Sequence, residues 1–259
     1  MVLSDTALWN LQMSVVNKSC ERGQYEKALD AAEAALKTAK KAFGAGHPNT
    51  AQSINNIAII YGFQENHTKA ADLFKKALAI NEKAFGPEHP EVALTLNNLA
   101  AAYQSQGKYA LAESSFQRAI TIKEKTLGPE HPGLATSLLF LAALYYGQRR
   151  LDMAEPLFER ALAININTFG KDHPAVIQSV SYLGAVYRVL GKYPLSEVML
   201  LWLLPIYENN RKSNNPDDEI QYQALLNDLA FVYRKLGKND EAKLIEDKTM
   251  IFLVRKEGR

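Results

Sequence analysis

The sequence predicts an all-α fold, a solenoid of about six helical hairpins, on three observations. Four of the five histidines, His47, His89, His131 and His173, are each followed by proline and stand 42 residues apart. A fixed period of this size marks stacked repeats. A glycine, at Gly44, Gly86, Gly128 and Gly170, precedes each His-Pro by three residues, which is how one helix ends before the next begins. Between these marks the apolar residues fall at helical spacing: Leu96, Leu99, Ala100 and Tyr103, then Ala112, Phe116, Ala119 and Ile120. Each segment therefore carries one buried stripe.

The elements follow in order. A degenerate opening copy is carried by Gln12, Val15, Val16, Ser19, Gly23, Tyr25 and Ala28. In the regular copies proline opens the first helix, where its missing N–H is no loss, and it pushes the preceding histidine towards the extended backbone of an N-cap. A glycine turn such as Gly107-Lys108 leads into the second helix. One aromatic recurs at Tyr61, Tyr103, Tyr145 and Tyr187, then at Tyr233 with four extra residues, an insertion expected in KSNNPDDEIQ before the last first helix. Approximate repeats are 6–47, 48–89, 90–131, 132–173, 174–219 and 220–257. No linker separates them, so a single repeat domain over 1–259 is expected. A solenoid's stability is a sum over neighbouring repeats and needs no central core.

Leu99-Ala100-x-x-Tyr103, Gly107-x-Tyr109, Ala112, Phe116 and Ala119 stand where tetratricopeptide repeats carry their leucine, small, aromatic, glycine, alanine, aromatic and alanine positions. The chain resembles that family over nearly its whole length. The longer unit, the LNNLA-type first helix and the G-x-x-HP connector are similar to the kinesin-light-chain variant. The resemblance implies a right-handed α-α superhelix of hairpins that binds a protein or peptide partner on a concave groove lined by the first helices.

Catalysis finds no support in the residues. Cys20, the only cysteine, sits in KSCERG without a nucleophile signature, and a single cysteine excludes an intrachain disulfide and fits a reducing compartment. One histidine per repeat puts the series about 10 Å apart on stacked hairpins, against the roughly 2 Å reach of a zinc ligand. The histidines read as helix starts, and no metal is expected. His67 stands where Tyr109 does and reads as a turn residue packing in an aromatic's place. The glycines are spaced as helix ends, not as a phosphate loop, and no cofactor is expected. With 30 basic against 28 acidic residues, scattered, neither nucleic acid nor an anionic membrane is favoured. The amino terminus does not read as a signal peptide, and a cytoplasmic protein is expected.

Function is then sought on the first-helix surface. One register position reads Met13, Asn55, Asn97, Leu139, Ser181 and Asn227; the next reads Ser14, Asn56, Asn98, Phe140, Tyr182 and Asp228. Asparagine is a poor helix-interior residue, so the two pairs call for a reason. A carboxamide both donates and accepts, so it can hold the backbone of an extended peptide whatever its side chains. Alternatively, one amide of each pair bonds a neighbouring helix. In kinesin-light-chain repeats, which this arrangement resembles, inner-wall asparagines contact cargo peptides. Gln52 extends the polar stripe. Further on, Phe140, Tyr146, Tyr182 and Arg188 occupy groove positions, where the rings either select ligand side chains or stack only on their own neighbouring repeat; Arg188 recurs as Arg234 followed by Lys235, a basic tendency suited to an acidic ligand or simply a solvated face. The carboxylate clamp of chaperone-binding relatives needs cations where this chain has Asn10, Gln52, Leu94, Thr136 and Gln178, so an internal peptide segment fits better than a carboxyl terminus.

A second surface is expected on the fifth hairpin. Positions that hold Lys75-Lys76, Gln117-Arg118 and Glu159-Arg160 become Leu201 and Trp202, within VMLLWLLPIY. A run this apolar needs cover. The candidates are the chain's own last helices, with the run Met250-IFLV, or another protein, including a second copy. Pro205 is expected to kink or end the helix, and the run is too short to cross a membrane, which takes about 20 residues.

Overall fold

The computed structural model describes residues 4–211 and 215–257, with side chains as far as Thr249. Among the described residues it holds twelve helices and no strand, in six consecutive hairpins. These are α1 (Asp5–Glu21) with α2 (Tyr25–Phe43), α3 (Pro48–Phe63) with α4 (His67–Phe85), and α5 (Pro90–Ser105) with α6 (Tyr109–Leu127). They continue as α7 (Pro132–Gly147) with α8 (Leu151–Phe169), α9 (Pro174–Val189) with α10 (Tyr193–Asn210), and α11 (Pro216–Lys235) with α12 (Asn239–Glu257).

The His-Pro step works as a helix start with a side-chain cap. His47, His89, His131 and His173 each accept, at Nδ1, the backbone N–H two residues on, from Asn49, Glu91, Gly133 and Ala175 at 3.0–3.2 Å. An otherwise orphaned N–H at the helix start is thereby satisfied. At three of the four the ring stacks on the last aromatic of the preceding helix, Phe43 on His47 at 4.9 Å, Phe85 on His89 at 4.4 Å and Phe169 on His173 at 4.2 Å; Leu127 stands in that place before His131. Gly86, at φ +90°, supplies the left-handed backbone that lets the chain leave α4 and reach this cap. His67 opens α4, half-buried, and its carbonyl accepts the Gln106 side chain at 2.7 Å.

The extra residues fall in the expected segment, KSNNPDDEIQ, but inside the last first helix and not before it. Asn215-Pro216 follows His173-Pro174 by 42 residues, and Asn215 caps α11 by accepting the N–H of Asp217 at 3.1 Å. The four extra residues lie inside α11, which has 20 residues against 16 in α9. One added turn of helix shifts the later positions by four and keeps them on the same face. Pro205 does not end its helix: α10 continues to Asn210, with the proline on the exposed side.

Cα proximity divides the chain into two compact units, residues 1–144 and 145–259. In the first, alanines let paired helices approach closely: Ala28, Ala32, Ala35 and Ala39 of α2 are fully buried, as are Ala70 and Ala77 of α4 and Ala112 and Ala119 of α6. In α4 and α6 one aromatic, Phe74 or Phe116, fills the remaining space, where α2 has Ala32. In the second unit a larger cluster joins Val176 and Val180 of α9, Leu200 and Leu203 of α10, Tyr222, Leu225, Leu226 and Leu229 of α11, and Ile245 of α12. There Leu203 takes the register position held by Ala77, Ala119 and Ala161. Gly184, at the register of Ala58, Ala100 and Ala142, makes room for the larger neighbour: a Cβ on it would lie 3.3 Å from that of Met199.

Candidate functional site

In residues 1–144 the first helices touch one another across hairpins, α1 with α3 and α3 with α5, while no comparable contact joins α2 to α4. The hairpins come together on the first-helix side, the face the repeat family leads one to expect as the inner wall. Cross-repeat hydrogen bonds stitch it. Trp9 Nε1 donates to Ser53 Oγ at 2.9 Å, Asn97 Nδ2 to Ser137 Oγ at 2.7 Å, and Asn98 Nδ2 to Asn55 Oδ1 at 3.2 Å.

These bonds sort the four asparagines. Asn97 is 3% exposed and holds α5 to α7 through Ser137, so it is removed from the groove set. Its role is the alternative the sequence left open. Its oxygen is buried with no hydrogen-bond partner. Asn55 and Asn98 are half-buried and share one bond, in which the Asn98 oxygen and the Asn55 amino group take no part. Asn56, also half-buried, makes only a long contact from Nδ2 to Met13 Sδ, 3.8 Å. Gln52 is exposed one turn before Asn56. Leu94, treated above only as a missing cation, is 50% exposed one turn before Asn98. Phe140 is 44% exposed, with its ring stacked 5.9 Å from Phe116. The wall of this unit thus mixes amides with two apolar side chains.

Behind it lies a buried cation. Lys123 is 7% exposed and donates to the Gly133 carbonyl at 2.8 Å and Ser137 Oγ at 2.9 Å. Burial pulls its ammonium below the ordinary lysine value. The same register holds Asn81, bonded to Thr95 Oγ at 3.1 Å, and Asn165, bonded to the Ala175 carbonyl and Ser179 Oγ at 3.3 Å each. Lys123 therefore stands in for an amide in a structural bond between helices.

In residues 145–259 rings gather on the first helices, with Tyr182 at the register of Asn56 and Asn98. Tyr182 stacks on Phe158 at 4.8 Å and meets Tyr146 edge-on at 6.5 Å. Phe231, which the sequence reading did not single out, is 41% exposed and lies 6.2 Å from Tyr193. Its signal was its place in the repeat, where Ala101 and Ala185 stand in other copies. The expected basic tendency is offset by nearby carboxylates. Arg188 lies 3.3 Å from Asp228, whose carboxyl burial pushes above the usual range despite the cation. Arg234 is bound by both oxygens of Glu246 at 2.7 Å. At Arg234 a ligand carboxylate would compete with Glu246, and at Arg188 it would meet the nearby charge of Asp228, so both arginines are partly offset for an acidic ligand.

Leu201 and Trp202 part company. Leu201 is 41% exposed; Trp202 is half-buried against the Val176–Ile245 cluster, with Lys171 Nζ 5.9 Å from its ring centre. The side chains of Met250–Val254, the expected cover, lie outside the described residues. The Cys20 thiol is pushed up by burial and then by Glu21, the wrong direction for a nucleophile. Among the described residues no group of metal-ligating side chains gathers, and no helix is long and apolar enough to cross a membrane.

Comparison with known proteins agrees with this geometry. The tetratricopeptide repeat model matches residues 18–83, 53–125, 91–166 and 135–209. The solved nearly identical repeats of a kinesin light chain from Podosopora anserina are 26% identical, with a TM-score of 0.68, covering 81% of this chain and 98% of that one. BtubC (BKLC) of P. vanneervenii shares the fold at 19% identity and a TM-score of 0.73, over 91% and 93% of the two chains. The Rap conjugation regulator of plasmid pLS20, solved with the Phr* peptide, does so at 15% and 0.63, over 94% and 75%. No curated protein sequence matches the chain.

Proposed function

The chain belongs to the tetratricopeptide repeat family in its kinesin-light-chain-like form, and from that premise we propose that it is a non-catalytic scaffold that holds an extended peptide segment of a partner protein on its first-helix wall. The observation that carries this is the pair Asn55 and Asn98. They stand half-buried on the first-helix side with one mutual hydrogen bond, which uses only one polar atom of each amide. A peptide backbone offers the alternating donors and acceptors those groups lack, so contact there tolerates any side chain. Around Tyr146, Tyr182 and Phe231 the wall instead offers ring surface, which selects apolar or aromatic side chains. That the Rap regulator, which shares the fold, was solved in complex with the Phr* peptide supports the reading. The ligand is an internal segment, met in the cytoplasm.

Backbone and side-chain amide NMR in the presence of pooled unstructured peptides tests the reading. Shifts should concentrate at Gln52, Asn55, Asn56 and Asn98, and at Phe140. Shifts confined to second-helix residues, or none at all, would refute it.

A further inference from the structure

The outward face of α10 carries an apolar seam that the fold does not require. Pro194, Leu195, Val198, Leu201 and Pro205 are all exposed, Leu195 by 46%, Val198 by 55% and Leu201 by 41%. The same register in α4 reads Thr68, Lys69, Asp72, Lys75 and Ala79, and in α6 Ala110, Leu111, Ser114, Gln117 and Thr121. Those hairpins close without an apolar outer face, so packing within the chain does not explain this one.

Two features identify the occupant. Pro194, Val198, Leu201 and Pro205 are spaced four, three and four apart, the spacing of a coiled-coil seam, so the surface fits another helix. The seam is also its own complement. A two-fold axis between Met199 and Leu200 sets Val198 opposite Leu201 of the second copy and Pro194 opposite Pro205. It also brings Lys192, at the positive end of α10, to the exposed Glu208 of the other copy. Between these two the only charged residue is Glu197, which is turned inward and bound by Lys238 at 2.6 and 2.8 Å. Parallel pairing would set lysine against lysine and glutamate against glutamate. Lys192 keeps 45% of its side chain exposed while bound to Glu155, so it can serve both.

We propose that the outer face of α10 is a homodimer seam on which α10 of a second copy lies antiparallel, leaving the peptide-binding wall of each copy open. The seam is about 16 Å long, small beside the roughly 800 Å² per partner of a standard interface. Association is therefore reversible and in the micromolar range.

Sedimentation equilibrium from micromolar to submillimolar concentration should show a monomer–dimer equilibrium. Val198→Lys with Leu201→Lys should abolish it while circular dichroism and melting of the dilute protein stay unchanged, both positions being exposed. Glu208→Arg, which leaves the apolar seam intact, should weaken dimerisation about tenfold in low salt. In a Cys20→Ser background, chains carrying Val198→Cys and chains carrying Leu201→Cys should cross-link to each other on mild oxidation in preference to themselves. Asn56→Ala with Asn98→Ala should dimerise as the wild type does. A wild type that is monomeric throughout, a dimer that survives the double lysine variant, or preferential Val198–Val198 cross-links would each overturn the proposal.

Discussion

The wall around α3 and α5 and the wall around α9 and α11 occupy the same register of the same repeat, yet they offer opposite chemistry. At one register position the first presents Asn56 and Asn98, and the second Tyr182 and Asp228. Beneath them the helix starts barely change: His47, His89 and His173 make the same Nδ1 cap, and Asn215 replaces it with an amide oxygen. The comparison teaches that local devices at the helix ends hold the repeat in register, which frees the wall to vary. On the proposed function, the amides of the one unit would give affinity without side-chain preference and the rings of the other would give preference.

The largest expected effect tests whether the rings are structural as well as exposed. Phe158→Ala removes a fully buried ring and the support under Tyr182, at a cost of about 3–5 kcal/mol in urea unfolding. Phe74→Ala, at the same register beneath Asn98, should cost less by about 0.5–1.5 kcal/mol, because no ring stacks on it. Equal losses would remove the stacking difference between the two stretches.

Next come two neighbours with opposite roles. Asn97→Ala breaks a buried bond to Ser137 and should destabilise by about 1–3 kcal/mol. Asn98→Ala together with Asn56→Ala should each stay within about 0.5 kcal/mol of wild type in stability, while peptide capture weakens by about 1–3 kcal/mol in titration calorimetry. If Asn97 proves neutral and Asn98 costly to the fold, their assignments are reversed.

A gain is expected at Lys123. Lys123→Asn installs the residue found at Asn81 and Asn165, keeps a donor within reach of Ser137, and removes a buried charge that no carboxylate among the described residues balances. Stability should rise by on the order of 1 kcal/mol at neutral pH. The sign with pH follows from the depressed lysine. The folded chain gives up this proton before the unfolded chain does, so wild-type stability climbs with pH below the ordinary lysine value of about 10.4. The variant lacks that slope, and the gap should narrow between neutral and alkaline urea melts. The smallest effect is at Arg234→Ala, which breaks an exposed pair with Glu246 and should leave melting within error at physiological salt, as exposed pairs do.

The hairpin lattice was legible because each boundary is set by a few local residues, Gly-x-x-His-Pro on one side and a left-handed turn on the other. Even so, Glu65 and Arg149 take that turn at φ 61° and 62° where other hairpins use Gly107 or Gly191, so the glycine was a preference and not a requirement. The insertion does fall within KSNNPDDEIQ, but its form was misread as a connector before the helix: a four-residue gain inside a helix leaves the hydrophobic stripe in phase, and only the Asn215-Pro216 cap shows that these residues are helical. The wall was half legible. Spacing placed Asn97 and Asn98 side by side, but which one turns inward depends on Ser137, 40 residues away. The partners of Arg188 and Arg234 were hidden for the same reason, since Asp228 and Glu246 meet them only through folding.

The account rests on the amides of the first-helix wall holding a peptide backbone. Selection of a random decapeptide library on wild-type protein, followed by re-binding of the recovered peptides to Asn56→Ala/Asn98→Ala, tests that most directly. Recovered peptides should share an apolar or aromatic position but no wider consensus, and the variant, folded as judged by its melt, should bind them about 10- to 100-fold more weakly. Undiminished binding by a folded variant would contradict the central claim.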